Sequence, residues 1–384
     1  MSAEMKVTGG EWTAREIAQQ PAVWLEVADL VARERARLDA FIAPLLADAG
    51  VRIVLTGAGT SSYIGGCLAP GLAGKLGRRV DSVATTDLVS GPHLYLQRDV
   101  PTLLVSFARS GGSPESVAAV ELADRALDHV HHLVITCNAA GALAQRMTAA
   151  RNACVLVLPD ATNDRAFAMT SSFTSMVLVA ALIFGAIPAS AVAALARAGD
   201  AALPRARLLA TELAARSFER VVYLGSNSLQ ALAAESALKM LELTDGRTVA
   251  VSQSTLGFRH GPKTIVNART LVVMFVSNDP YTRAYDRDLL DELRREARAG
   301  AIVAVGAPTG VAQGDRLELP GTDDMNDLAL ALVDVVFAQL LGLNQSLRFG
   351  LTPDNPNASG VVSRVVQGVT VHPWSRELAD VSRR

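Results

Sequence analysis

Two parts of this 384-residue sequence carry side chains suited to chemistry. The stretch SFARSGGSPES, residues 106–116, holds four hydroxyl side chains and two glycines between the apolar run PTLLV and the helix-spaced VAAVELADRAL. Glycines let a backbone close around an anion, hydroxyls donate to its oxygens without adding charge, and the amides of a helix start favour negative charge. GTSS at 59–62 repeats the theme. An ordinary turn with Ser113 as helix N-cap would have the same composition. The second part is ALAAESALKMLELTDG, which reads as a helix. Glu235, Lys239 and Glu242 recur at spacings of four and three, so they share one helix face. A carboxylate held there could move a proton, and a solvated face of paired charges would look the same. His260, one of six histidines, sits in the loop FRHGPK. Its near-neutral imidazole suits proton relay, although loop histidines also simply decorate surfaces.

Composition narrows the partner. Lys+Arg total 36 against Asp+Glu 38, a net charge of -2, with no block of like charge to serve as a nucleic-acid footprint. GAGTSSYIG offers Gly57 and Gly59 but lacks the third glycine of a dinucleotide motif, and no GxxxxGK[ST] occurs, which disfavours NAD and ATP. A monophosphate on a small metabolite fits what remains. Cys67, Cys137 and Cys154 lack metal-ligand spacing, so no metal site is expected; the latter two lie in strand-like apolar stretches and read as small buried hydrophobes, and a reduced cytoplasm fits. The opening MSAEMKVTGGEW is not a signal peptide, and TSMVLVAALIFGAI falls short of the roughly 20 residues a membrane span needs, so it reads as a buried helix.

The elements that position these residues form a repeat. After a helical stretch from Ala14 to about Ala47, VRIVLTGAGTSSYIGG combines an apolar strand, a glycine turn and a helix start, and RVVYLGSNSLQALAAESALKM repeats it, with Gly225 168 residues after Gly57. TLLVSF meets TLVVMF and LVITCN meets AIVAVG at the same offset; CVLVLP meets DRLELP after a shift, since Pro159 and Pro320 are 161 apart. The pattern predicts a duplicated α/β unit, two doubly wound parallel sheets covered on both faces as three-layer α/β/α sandwiches, each copy closing on a long apolar helix. Expected boundaries are a helical segment at 1–45, domains at 46–200 and 201–345, and a tail at 346–384. One copy serves as a control for the other. Where the first has Arg109, Ser110, Gly111, Gly112 and Ser113, the second has Ser277, Asn278, Asp279, Pro280 and Tyr281. The scaffold therefore does not require the serines and glycines.

GAGTSS, SFARSGGSPES, the twofold repeat and FRHGPK resemble sugar isomerase (SIS) domains in tandem, as in the isomerase half of glucosamine-6-phosphate synthase. The resemblance spans roughly residues 46–350. More narrowly, REIAQQPAVW, LGFRHGPK and PDNPNASGVVSRVVQGVTVHPW resemble the galactosamine-6-phosphate deaminase group, also named tagatose-6-phosphate ketose/aldose isomerase. The resemblance implies that Ser61, Ser110 and Ser113, with backbone help from Gly111, hold the sugar phosphate. Arg109 replaces a neutral loop residue of the synthase and either contacts phosphate or points to solvent; Ala108 replaces a serine, so one hydroxyl contact is missing. Thr60, Thr170 and His372 are candidates for contact with the sugar, with a purely capping role open for Thr170. Glu242 matches the base that moves a proton between C1 and C2, Lys239 matches a nearby lysine, and His260 matches the histidine that opens the sugar ring, in some cases at a neighbouring subunit's site. Gly257 replaces a glutamate of that motif, and a C-terminal lysine of the synthase has no counterpart.

The resemblance implies a cofactor-free deaminase/isomerase that converts D-galactosamine 6-phosphate to D-tagatose 6-phosphate and ammonia. Deamination is the expected direction, because no glutaminase domain precedes the pair and no cysteine is N-terminal. The alternatives are an aldose-ketose isomerase of an unaminated sugar phosphate and a non-catalytic sugar-phosphate sensor. Half-exposed apolar helices and the shared sites of SIS enzymes lead us to expect a homodimer or higher homo-oligomer.

Overall fold

The computed structural model describes residues 8–308, 316–357, 359–366 and 368–375. The chain divides into two compact units, one of Met1–Leu25, Asp164–Thr174 and Ile187–Val361, the other of Glu26–Asn163, Ser175–Ala186 and Val362–Arg384. Each is built on one parallel sheet.

Helices α1 (Glu11–Ala18) and α2 (Gln20–Ala47) lead into the first sheet. The expected single helix is thus interrupted at Gln19, the C-cap residue of α1. The first sheet takes β1 (Arg52–Thr56), β2 (Val80–Ser82), β3 (Thr102–Ala108), β4 (Val130–Thr136) and β5 (Ala153–Val157) in the order β2-β1-β3-β4-β5. Between them run α3 (Thr60–Leu76), α4 (Thr85–Ser90), α5 (Pro92–Tyr95), α6 (Pro114–Ala126) and α7 (Ala142–Thr148). Val54, Leu104, Ala108 and Val134 of the strands pack against Leu88 of α4, Ala119, Val120 and Ala123 of α6 and Leu143 and Met147 of α7. Covered strands must be apolar on both faces, which is why β1 and β3 are buried at every position.

Helices α8 (Ser171–Ile183) and α9 (Val192–Ala215) come next, and then the pattern returns as β6 (Arg220–Gly225), α10 (Ser228–Leu243), β7 (Val249–Ser254), β8 (Thr270–Phe275), α11 (Pro280–Glu296), β9 (Ala301–Gly306), β10 (Arg316–Glu318) and α12 (Asp327–Arg348). The second sheet reads β10-β9-β8-β6-β7, the first sheet's order strand for strand. Even the turn after the leading strand is reproduced: Gly59 stands at φ 56, ψ -129 and Asn227 at φ 51, ψ -119. A left-handed φ is strained for a residue with a Cβ, so Asn227 keeps an inherited turn that glycine occupies in the first copy.

The hydrogen-bond register corrects one match between the repeats. Val105 pairs with Leu133 and Val273 with Val303, so β9 corresponds to β4 at an offset of 170 residues, not 168.

α12 is long and apolar enough to cross a membrane by length and composition, but 94% of that window is buried, and the helix packs against α9 and α10. The apolar residues of α8 are buried as well. The apolar helices that close the two copies are therefore covered rather than half-exposed. Among the described residues, exposed valines gather in the C-terminal segment, at Val361, Val362, Val366, Val369 and Val371.

Candidate active site

In the first sheet the chain steps from β1 to one side for β2 and back to the other for β3, so the strand order reverses between β1 and β3. Ligands of doubly wound sheets bind beyond the carboxyl ends of the strands at such a switch point. The loops that leave β1 and β3 there are the two serine and glycine stretches. Gly57 is required by packing, since a Cβ on it would stand 2.5 Å from the Ser61 backbone. Thr60 and Ser61 are buried in the first turn of α3, where helix amides point outward. The second loop is shaped by the loop after β4. The Asn138 side-chain amide donates to the Ser110 carbonyl at 2.9 Å, and the Leu143 amide to the Gly111 carbonyl at 2.9 Å. Gly111 has φ 62, a conformation glycine adopts freely. Ser113 occupies the N-cap position of α6 without capping; its hydroxyl pairs with Ser116 at 2.6 Å.

Beneath these loops lie polar groups without a hydrogen-bond partner among the described residues. Thr56 and Ser106 face each other across the β1/β3 register, and their buried hydroxyls, that of Thr85 and Oε2 of Glu115 are unsatisfied by protein atoms.

Arg109 does not point to solvent. It is 7% exposed, and its guanidinium donates to the Arg364 carbonyl at 2.7 Å, which ties the C-terminal segment to the β3 loop. Arg364 in turn approaches Asn163 at 3.3 Å, and Trp374 packs against the α4–α6 core. His372, in the same segment, is exposed.

The second unit carries the titratable groups. α10 forms because its sequence is rich in alanine and leucine, strong helix formers. It stops where Asp245 and Gly246 turn to φ 50 and φ 71, with the Gly246 amide closing on the Leu241 carbonyl at 2.9 Å. On this helix Glu235 and Lys239 are fully buried rather than solvated, with Lys239 Nζ 3.5 Å from Glu235 Oε1. The same ammonium bonds the carboxylate of Glu242, whose side chain is 22% exposed. A cation fixed inside the unit thus holds a carboxylate at its surface, an arrangement suited to repeated proton transfer. His260 is exposed, at the end of the Gly257–Arg259 turn and before Gly261 at φ 117.

Thr170 is wholly buried. Its hydroxyl meets Asp164 at 3.1 Å, and Asp164 also accepts the amides of Thr170, Ser171 and Ser172 at 2.7, 3.0 and 2.9 Å, which caps α8. The hydroxyl is therefore committed to structure. Nearby, Glu16 accepts the Arg165 amide at 2.5 Å, and burial, reinforced by Asp164, pushes its carboxyl up to about 7. Asn138, Asp164 and Arg364 have no sequence signal that singles them out.

Among the described residues no group of three or more His, Cys, Asp or Glu side chains is arranged to hold a metal. A cavity of about 390 Å³ opens at the opposite ends of β1, β3 and β4, lined by Leu45, Val51, Leu103 and His131, away from the glycine loops.

Two copies of one parallel sheet, with a serine and glycine cradle at the first copy's switch point, define a tandem SIS-domain protein. The SIS domain model matches residues 45–186. Over 95% of its length the chain is 47% identical to D-galactosamine-6-phosphate deaminase AgaS of Escherichia coli, covering 96% of that protein. Identity to the Shewanella sp. protein of the same name is 42%, over 95% of this chain and 93% of the relative. The crystal structure of tagatose-6-phosphate ketose/aldose isomerase from Escherichia coli superposes with a TM-score of 0.90 at 43% identity, covering 97% of this chain and 100% of that one. The chain belongs to the AgaS family of SIS-domain proteins.

Proposed function

We propose that the chain converts D-galactosamine 6-phosphate and water to D-tagatose 6-phosphate and ammonia. The observation that carries this reading is the pairing of buried Lys239 with the partly exposed carboxylate of Glu242. Family membership supplies the substrate class. In this reading Ser61, Ser110, Ser113 and the Gly111 amide anchor the phosphate, and His260 passes a proton to the ring oxygen as the sugar opens. Glu242 takes the proton from C2, leaving an enolamine, and returns it to C1. The resulting C2 imine is attacked by water and collapses to the ketone, releasing ammonia. Lys239 neutralises Glu242 between turnovers. Electrons stay within the sugar throughout, so the scheme calls for no redox cofactor.

Domains at 46–200 and 201–345 divide the work in this scheme, the first anchoring phosphate and the second moving protons, with Thr60 and His372 as further sugar contacts. We place the reaction in the cytoplasm and in a homo-oligomer of at least two chains; light scattering that finds a fully active monomer would remove the latter.

Ammonia release from galactosamine 6-phosphate and glucosamine 6-phosphate, measured side by side, tests the function. Rapid release from the galacto isomer supports it. Activity confined to unaminated hexose phosphates points to a plain aldose-ketose isomerase, and binding without turnover of either kind to a sensor.

A further inference from the structure

In the second repeat, the loops leaving β6, β7 and β8 converge on one carboxylate. Asp286 of α11, fully buried, accepts the hydroxyl of Ser226 at 2.8 Å, the hydroxyl of Thr255 at 2.7 Å and the amide of Ser277 at 3.0 Å. These donors stand beyond the carboxyl ends of the strands where the second sheet's order reverses, the place that doubly wound sheets give to ligands. Helix capping does not call for this carboxylate, because Asp279 already caps α11 by accepting the Thr282 amide at 2.8 Å.

The first repeat shows what the position does without it. Thr85 is the counterpart of Thr255: their amides bond the carbonyls of Gly57 and Gly225 at 2.9 and 3.1 Å. Thr255 gives its hydroxyl to Asp286, whereas the equally buried Thr85 hydroxyl has no protein acceptor among the described residues. Both α6 and α11 begin on proline, and the residue six positions on is Val120 in the first and Asp286 in the second. The threonine recurs, whereas Ser226 stands where the first copy has Ala58; the internal acid is present in one copy only.

We propose that Asp286 is a built-in anion that ties together the loops leaving β6, β7 and β8, where the first repeat has the core residue Val120, and thereby fixes the loop that runs from Thr255 to His260. Burial lifts the Asp286 carboxyl above its ordinary range, opposed by its three donors and reinforced by Asp327. Asp327 itself accepts the Ser277 hydroxyl at 2.6 Å and the Asn278 amide at 2.8 Å. With that second carboxylate alongside, the space left by trimming Asp286 suits a small monocarboxylate better than a phosphate dianion.

Formate is therefore the probe. Thermal melts of the full chain in sodium formate and in sodium chloride at equal ionic strength should coincide for wild type and for D286N, whose amide keeps the space filled. For D286A the melting temperature should rise with formate and saturate. Ammonia release by D286A should fall about tenfold in kcat with little change in KM, and formate should restore part of it. The kinetic arm rests on the deaminase reading; the melts use no substrate, so failure of that reading and failure of this inference are separable. A D286A protein whose melting is the same in both salts, or that stays unfolded in formate as in chloride, overturns it.

Discussion

Lys239 is completely buried on α10, and its ammonium bonds the carboxylate of Glu242 three residues further along, with Glu235 on its other side at 3.5 Å. Removing one partner of a buried ion pair is strongly destabilising, about 3–5 kcal/mol. Lys239→Met should lower stability by that amount in urea unfolding and should cut kcat as well, because Glu242 loses the group that orients it. A Lys239→Met protein with wild-type stability would show that the ammonium is not desolvated in the fold.

The serine cradle should act on binding more than on chemistry. A hydroxyl donating to a charged phosphate contributes about 1.5–3 kcal/mol, so Ser110→Ala and Ser61→Ala should each raise KM by roughly 10- to 100-fold with a much smaller effect on kcat. Steady-state ammonia release with varied substrate separates the two. A fall in kcat alone would move these serines away from the phosphate.

Glu16 gives stability a pH dependence of known sign. Its carboxyl is raised from the ordinary 4.5 to about 7, chiefly by burial, so the folded state favours the protonated form. The resulting stabilisation is complete below about pH 4.5 and is lost as pH rises through about 7. Glu16→Gln, which keeps an acceptor for the Arg165 and Ala166 amides, should melt with wild type near pH 4.5 and at increasingly higher temperature than wild type as pH rises toward about 8. Equal melting temperatures across the range would contradict this.

Arg109 should be a latch for the C-terminal segment. Its bond to the Arg364 carbonyl joins positions 255 apart in sequence. Arg109→Ala should therefore speed limited chymotryptic cleavage at Trp374 by about tenfold, with fluorescence of that tryptophan shifted toward the red. Unchanged cleavage would assign the holding of the segment to the packing of Trp374 alone.

The sheets are legible in the sequence because parallel strands covered on both faces read as short apolar runs, and duplication lets weak matches support one another. The offset of β9 differs from its sequence reading by two residues for a physical reason: side chains alternate along a strand, so a shift of two keeps every side chain on its face. Glu242, Lys239 and the serine loops stand out through spacing and composition. Burial cannot be read in the same way, since a helix face of Glu235, Lys239 and Glu242 has one sequence whether wet or dry. Asp164, Asp286 and the Arg109 contact with Arg364 join distant segments, and no local periodicity points to them.

The central claim is that Glu242 carries a proton between C2 and C1. Galactosamine 6-phosphate turned over in deuterium oxide should give tagatose 6-phosphate with deuterium at C1 in the fraction of turnovers in which the Glu242 carboxyl exchanges its proton with solvent before returning it, detected by nuclear magnetic resonance of the product. Glu242→Gln should lose both ammonia release and deuterium incorporation by a factor of at least about 10³ while still binding the substrate in calorimetry. Glu242→Gln protein that releases ammonia at the wild-type rate would contradict the account.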